Sequence, residues 1–253
     1  MFGSVSSVIE RADGSLLIHD VRDRRVLIVP RDRGSPATVI LDATERTAFA
    51  YHSRAGNLIA ARGDSALFID PDALAGVVID AHDRVAGAFA LPPRLVPCLL
   101  GGAVGMPAVD AADRVVCRQP PAVTNIGGTD TAGPLWRIAD SAALVAFDLR
   151  TRRIDTVTFL RTVRTRFVTA PDDRCQTLYT VPLINPLPIV DEWAMLRDGT
   201  IAVVRGEDYH VDWYQSGGAP MTSPPLRSSP RFPSDSSKVA FVDSTRQALL
   251  RIR

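Results

Sequence analysis

The densest group of chemically capable side chains in the sequence lies between residues 207 and 213. His210 and Asp212 are two positions apart there, so in a β-strand both point to the same face, while Tyr209 and Trp213 point to the other. An imidazole beside a carboxylate can act as a general base with its orienting group, or as two ligands of a divalent cation. Three residues elsewhere are candidates for a third metal ligand: His19, His52 and Asp110.

A repeated unit of short strands must position these side chains. Residues 13–34 align with residues 63–84, and further copies begin at Asp113 and Asp198. Each copy contains a turn, a short apolar strand, a polar turn and a second apolar strand, and another strand candidate flanks it on either side. Four short strands separated by turns of Asp, Gly, Ser and Pro are typical of a β-propeller blade. The predicted fold class is therefore all-β, a propeller of four-stranded antiparallel blades with a short C-terminal helix.

Four blades are expected within residues 1–233. Their predicted bounds are residues 1–41, 48–91, 103–160 and 187–226. Pro- and Gly-rich insertions at 92–105, 119–135 and 171–190 are predicted to be long loops on one rim. Ser234 is expected to cap a helix that begins near Asp235, spans residues 234–253, packs between blades and is truncated at the last residue.

Charged residues of the fourth blade are predicted near the ends of its inner strands. The carboxylate of Asp191 or Glu192 could meet a ligand or a cation at the mouth of the central channel, and the guanidinium group of Arg205 could bind an anion. The structural alternative is a solvated strand end for Glu192, and for His210 a hydrogen bond at the rim. The candidate ligand-binding residues are thus His210, Asp212, Tyr209, Trp213, Glu192 and Arg205. Repeated aspartates such as Asp20 and Asp70 are better explained by Asx-turns than by a cation site.

Composition excludes several classes of function. The chain has 253 residues, 46% of them apolar, and a formal charge of +1, so no bulk field favours nucleic acid as a partner. The arginine-rich stretch at 150–166 lacks interleaved aromatics and is expected to protect a sheet edge.

No apolar run is long enough to span a bilayer, and residues 1–10 predict a strand, not a signal peptide. Three cysteines without a CxxC pair are expected to be buried thiols and leave the compartment open: Cys98, Cys117 and Cys175.

Two segments carry a family resemblance. Residues 16–34, with Asp20 before the second strand and Arg25 entering it, resemble an NHL-type repeat. Residues 191–199 and 209–213 are similar to a group of bacterial six-bladed propellers of TolB-like or NHL-like architecture. The resemblance implies a six-bladed ring and an extracytoplasmic location, periplasmic or secreted, but no reaction. Four visible blades and the missing signal peptide depart from that pattern, so a partial chain is expected. If four blades are the whole protein, edge-to-edge self-association is expected instead.

Two hypotheses of function follow. The first is a non-enzymatic binding module without a cofactor, which presents rim loops and a central channel to an unknown protein, peptide or glycan. The second is a metal-assisted hydrolase or lyase with a divalent cation in the channel and His210 and Asp212 near the site. The repeats and the lack of a complete catalytic motif favour the first hypothesis.

Overall fold

Short apolar strands joined by Asp- and Gly-containing turns build the fold. The computed structural model describes residues 2–32, 34–44, 47, 49–51, 53–102, 105–125, 136–164, 166–171, 178–183, 188–226 and 234–251. These residues form four four-stranded antiparallel sheets arranged as blades in a propeller ring, two additional hairpins and a C-terminal helix. The predicted fold class is confirmed, whereas a total of six blades stays a prediction.

The first two blades are formed by consecutive strands. Blade 1 consists of β1 (Val5–Glu10), β2 (Leu16–Asp20), β3 (Arg25–Val29) and β4 (Thr38–Asp42). Blade 2 consists of β5 (Asn57–Ala60), β6 (Ala66–Asp70), β7 (Ala75–Ile79) and β8 (Val85–Ala90). In both sheets the strands pair in chain order, so the first and last strands are the two edges.

Short elements connect blade 2 to blade 3 and interrupt blade 3. A 3-10 turn (Pro93–Leu95) runs into helix α1 (Val96–Leu99). Blade 3 then consists of β9 (Ala108–Val109), β10 (Arg114–Arg118) and, after an inserted hairpin of β11 (Val123–Asn125) and β12 (Trp136–Ile138), β13 (Ser141–Asp148) and β14 (Ile154–Arg161).

Blade 4 follows a second inserted hairpin. That hairpin pairs β15 (Arg166–Pro171) with β16 (Leu178–Leu183). Blade 4 consists of β17 (Glu192–Met195), β18 (Ile201–Val204), β19 (Val211–Tyr214) and β20 (Met221–Thr222), and the chain continues to helix α2 (Asp235–Arg251). No helix in the described ranges has the length and hydrophobicity needed to cross a membrane.

The described parts of the insertions contain a helix and strands where rim loops were predicted, so this prediction was wrong in part; residues 103–104, 126–135, 172–177 and 184–187 lie outside the described residues. The first insertion contains α1, whose Leu99 and Cys98 are fully buried between blades 2 and 3. Cys98 and Cys117 of β10 form a disulfide, so the expectation of free thiols was wrong for both, and Cys175 lies outside the described residues. The prolines led to the loop prediction, but they lie in the first turns of these helices, where the backbone N–H that proline lacks makes no intrahelical hydrogen bond.

Apolar side chains on alternating strand positions pack adjacent blades together. Leu17 of blade 1 contacts the cluster around Phe68 of blade 2, and both are fully buried. A second cluster joins blades 2 and 3 around Ile69 and Phe147, and a third joins blades 3 and 4 around Leu144 and Val203. Because these strands bury both faces, each blade boundary contributes to the core.

Aspartates stabilise the turns, as predicted for Asp20 and Asp70. The carboxylate of Asp70 accepts the backbone N–H groups of the residues two and three positions later. The carboxylate of Asp20 accepts the backbone N–H of Asp23, three positions later, at 3.4 Å, and it also accepts those of Gly3 (2.9 Å) and Ser4 (3.0 Å) in the chain entering β1. The same Asx-type contact is made by Asp13, Asp80, Asp110, Asp148 and Asp198. The aspartate-rich composition therefore reflects the many turns of the fold.

Helix α2 begins where the sequence predicts. The Ser234 hydroxyl oxygen accepts the backbone N–H of Ser237 at 3.2 Å, which confirms Ser234 as the N-cap. Three apolar side chains of this helix, Val239, Phe241 and Val242, are exposed. Packing of the helix between blades stays a prediction.

A buried histidine lies between blades 1 and 2. His19 on β2 packs against the rings of Phe68 and Tyr51, and its Nδ1 lies 2.7 Å from the Ser6 hydroxyl. Neither His19 Nε2 nor the Tyr51 hydroxyl has a hydrogen-bond partner among the described residues. Burial lowers the pKa of His19 to about 4 from its ordinary 6.5, outweighing the opposing effects of the Gly56 backbone and the Asp20 carboxylate.

We expect His19 to make the fold less stable in mild acid. In the unfolded chain the imidazole of His19 is protonated below about pH 6.5, whereas in the folded protein it is protonated only below about pH 4. The free energy of unfolding therefore decreases as the pH falls from about 6.5 to about 4. The expected loss from this group is about 3 kcal/mol. Urea unfolding of wild type and His19→Phe from pH 7.5 to 4.5 should show a shallower pH dependence in the variant. The exposed His82→Phe control should keep the wild-type slope, and a His19→Phe slope equal to wild type contradicts the assignment.

Candidate functional site

The predicted site residues all belong to blade 4, but they occupy different surfaces. Arg205 directly follows β18, and Asp212 lies on β19. Tyr209 and His210 lie in the intervening turn, so the strand alternation predicted through residue 213 begins only at Val211. The structure brings Arg205, His210 and Asp212 together and leaves the other candidates apart.

Arg205 forms two ion pairs with partly or fully buried carboxylates. Its Nε donates to Asp212 Oδ2 at 2.7 Å, and its Nη1 donates to Asp191 Oδ2 at 2.9 Å. Burial opposes the charged forms of all three groups, but hydrogen bonds outweigh it. The two carboxylates raise the pKa of Arg205. The backbone N–H groups of Arg161 and Gly206, followed by Arg205, lower the pKa of Asp191, and Arg205 and Thr222 lower that of Asp212. The site is therefore an ionised triad at neutral pH.

Arg205 also crosses the boundary between blades 3 and 4. Its Nη1 donates to the backbone carbonyl of Phe159 at 2.7 Å. Its Nη2 donates to the hydroxyl oxygens of Thr158 and Tyr214, both at 3.1 Å. All five guanidinium donors thus have acceptors. These contacts do not support the prediction that Arg205 binds an anionic ligand, because acceptors within the protein occupy its donors.

Asp191 connects this triad to the end of blade 3. Besides Arg205, its carboxylate accepts the backbone N–H groups of Arg161 (2.9 Å) and Gly206 (3.0 Å). A Cβ at Gly206 would lie 2.1 Å from the carbonyl oxygen of Val190, so only glycine allows this close approach of the two backbones. Sequence reasoning gave Asp191 less weight than Glu192, although Asp191 is the buried one.

His210 lies between two carboxylates. Its Nδ1 is 2.5 Å from Asp208 Oδ1, and its Nε2 is 3.4 Å from Asp212 Oδ1. The predicted pairing of His210 with Asp212 is present, but Asp212 Oδ1 also accepts the Thr222 hydroxyl at 2.7 Å. The hydrogen bond from His210 is also the main cause of the lowered pKa of Asp208.

The three candidates for an additional metal ligand lie elsewhere. His19 is buried between blades 1 and 2, Asp110 binds Arg114 through its carboxylate, and His52 lies outside the described residues. Among the residues that the structure describes, no three His, Cys, Asp or Glu side chains are grouped to hold a metal ion.

The remaining candidates have few contacts. Tyr209 is half exposed in a left-handed backbone conformation (φ 57°). Trp213 lies on the face of β19 opposite to Asp212, away from blade 3 and partly exposed. Glu192 is exposed, and its Oε1 is 4.0 Å from Arg118 Nη1. Ligand binding by these three residues stays a prediction.

A cavity that the sequence did not reveal lies beside the triad. It has a volume of about 630 Å³ and lies where the end of β14 meets the chain entering blade 4. Its polar lining includes Arg161, Arg164 and Asp140, and its apolar lining includes Phe159 and Ile189, which are 61% and 56% exposed. Asp191 belongs to both the cavity wall and the triad. Only the arginine-rich stretch at 150–166 pointed to this region from the sequence.

The comparisons with known proteins show a distant likeness in fold. No family model matches the sequence, and no curated protein matches it significantly. The chain is similar to a gluconolactonase from Xanthomonas campestris at 16% identity, over 90% of this chain and 77% of that chain, with a TM-score of 0.39. It is also similar to virginiamycin B lyase from Staphylococcus aureus at 8% identity, over 89% and 71% of the two chains, with a TM-score of 0.38. A streptogramin B lyase gives 10% identity, 89% and 70% coverage, and a TM-score of 0.37. Likenesses with identities and TM-scores this low concern the fold and assign no function to this chain.

Proposed function

We propose that this propeller is a non-enzymatic binding module whose ligand occupies the cavity at the end of β14. The observation that carries the proposal is the cavity itself, whose volume of about 630 Å³ suits a small ligand, a short peptide segment or a glycan unit. Exposed apolar side chains beside a few charged and hydroxyl groups give it both contact area and orientation.

The contacts of the His210 and Asp212 pair support binding over catalysis. Both ring nitrogens of His210 face carboxylates, Asp208 at Nδ1 and Asp212 at Nε2, and His210 does not line the cavity, so its geometry offers no base to a ligand bound there. The competing hypothesis is the metal-assisted hydrolase or lyase. Stoichiometric divalent metal in protein purified without a chelator would favour that hypothesis.

We also propose an extracytoplasmic location, periplasmic or secreted. The Cys98–Cys117 disulfide supports it, because structural disulfides persist in oxidising compartments and are rare in the cytosol. Kinship with the six-bladed NHL-like and TolB-like propellers stays a prediction based on sequence resemblance. Alkylation of denatured protein from its source cells, before any reduction, should leave Cys98 and Cys117 unmodified, and alkylation of both contradicts the location.

The binding function is tested by filling the cavity. Ser141 is exposed and lines it, so Ser141→Trp should occupy much of its volume. Ligand-observed NMR with mono- and disaccharides, dipeptides and aromatic carboxylates should find binders that lose saturation transfer in Ser141→Trp. The same binders should still show saturation transfer with Ala88→Trp, which introduces a tryptophan at an exposed position of β8. They should also be recovered chemically unchanged. Binders unaffected by Ser141→Trp, or conversion of a binder to product, would overturn the proposal.

A further inference from the structure

We propose that the ligand of this cavity carries a carboxylate that binds Arg161, and that Glu207 competes with it for the same guanidinium group. The inference rests on the proposed function, since it concerns the ligand of the same cavity. It assigns to Arg161 the role of anion anchor and to Glu207 that of an internal competitor.

The Arg161–Glu207 ion pair shows that a carboxylate fits this position. Arg161 Nη2 donates to Glu207 Oε2 at 2.7 Å. The two side chains are 43% and 70% exposed, and ion pairs between exposed side chains are weak. Because the guanidinium group can bind a carboxylate through two parallel hydrogen bonds, a ligand can gain more than the single contact that Glu207 makes.

The other charges around the cavity favour an anion once Glu207 moves away. Arg164 has no ion-pair partner among the described residues, and it lines the cavity three positions after Arg161. Of the two lining carboxylates, Asp191 is already neutralised by Arg205 and accepts two backbone N–H groups. Two guanidinium groups therefore face one uncompensated carboxylate, that of Asp140.

The apolar lining defines the rest of the ligand. Phe159 and Ile189 are exposed at the cavity although both are large hydrophobic residues. A compact apolar or aromatic group that covers them would be removed from water while its carboxylate reaches Arg161. The ligand class is thus a small carboxylic acid with a hydrocarbon or aromatic group.

The test compares phenylacetate with its uncharged analogue, phenylacetamide. Both are titrated by NMR at low salt into wild type, Glu207→Gln, Arg161→Gln and the control Glu10→Gln, which removes the same charge at an exposed position of β1. Glu207→Gln should bind phenylacetate about fivefold more tightly than wild type does. Arg161→Gln should bind it about tenfold more weakly. Phenylacetamide should bind all four proteins alike, and Glu10→Gln should match wild type.

The outcomes separate this inference from the proposed function. Equal phenylacetate affinity in wild type and Glu207→Gln, with loss of binding in Ser141→Trp, overturns the competition by Glu207 and leaves the binding module standing. Phenylacetamide binding as tightly as phenylacetate overturns the ligand class. Phenylacetate binding that survives Ser141→Trp places the ligand outside the cavity, and both this inference and the proposed site then fall.

Discussion

Replacing Arg205 with methionine should lower the free energy of unfolding by about 4 kcal/mol. Arg205 is the countercharge of both Asp191 and Asp212, and each of these carboxylates is buried. Removing it leaves two charges in a low-dielectric boundary between blades 3 and 4 without compensation. Methionine preserves much of the apolar stem, so the loss reports on charge more than on packing. Urea unfolding at pH 7 gives the measurement.

The pH dependence and a matched variant isolate the cause. The lowered pKa values of Asp191 and Asp212 stabilise the folded wild type above their ordinary pKa of 3.8, and this contribution is lost as the pH falls below it. The difference between wild type and Arg205→Met should therefore shrink in acid. Arg62→Met removes an exposed arginine that donates to one backbone carbonyl and should cost about 0.5 kcal/mol or less. If Arg205→Met lowers the free energy of unfolding at pH 7 by less than about 1 kcal/mol, Arg205 does not form the described ion pairs with Asp191 and Asp212.

Phe68→Ala should destabilise the protein by about 3 to 5 kcal/mol. The Phe68 ring is fully buried between blades 1 and 2, 4.6 Å from the ring of Tyr51 and 5.1 Å from that of His19. Gly56 makes room for it, because a Cβ there would lie 2.6 Å from the ring. The strands β2 and β6, which carry His19 and Phe68, are hydrogen-bonded on both sides, and this limits their collapse into the space left by the missing ring.

Thermal and urea unfolding should show this loss as one cooperative transition at a lower midpoint. Phe159→Ala makes the same chemical change at a side chain that is mostly exposed, and its stability should stay near that of wild type. A loss for Phe68→Ala as small as that for Phe159→Ala would mean that blades 1 and 2 do not pack through this cluster.

The propeller could be predicted because its signals are local. Short apolar runs and aspartate-containing turns recur in each repeat, and they place strands such as Leu16–Asp20 and Ile201–Val204 at equivalent positions. The start of α2 was predictable for the same reason, since Ser234 and Asp235 form a local cap. Helix α1 was not, because it has only four residues, one of them Pro97, and so shows no helical period.

The site depends on contacts that no sequence window contains. The spacing of His210 and Asp212 correctly placed them together, but the partner that occupies Asp212 reaches across a turn and into blade 3. Arg205 resembled a free anion-binding side chain because three of its five acceptors lie far from it in the sequence: Asp191 is 14 residues earlier, and Phe159 and Thr158 belong to blade 3. The cavity likewise arises only where the end of one blade meets the start of the next.

The shared position of Asp191 makes the cavity and the blade boundary thermodynamically linked. One carboxylate forms part of the cavity wall and also holds Arg205, which binds blades 3 and 4 together. A ligand that favours this arrangement of Asp191 must, by linkage, oppose the local opening of the boundary. Occupancy of the site would then be recorded as slower amide hydrogen exchange along β14 and β18, well beyond the atoms that the ligand touches.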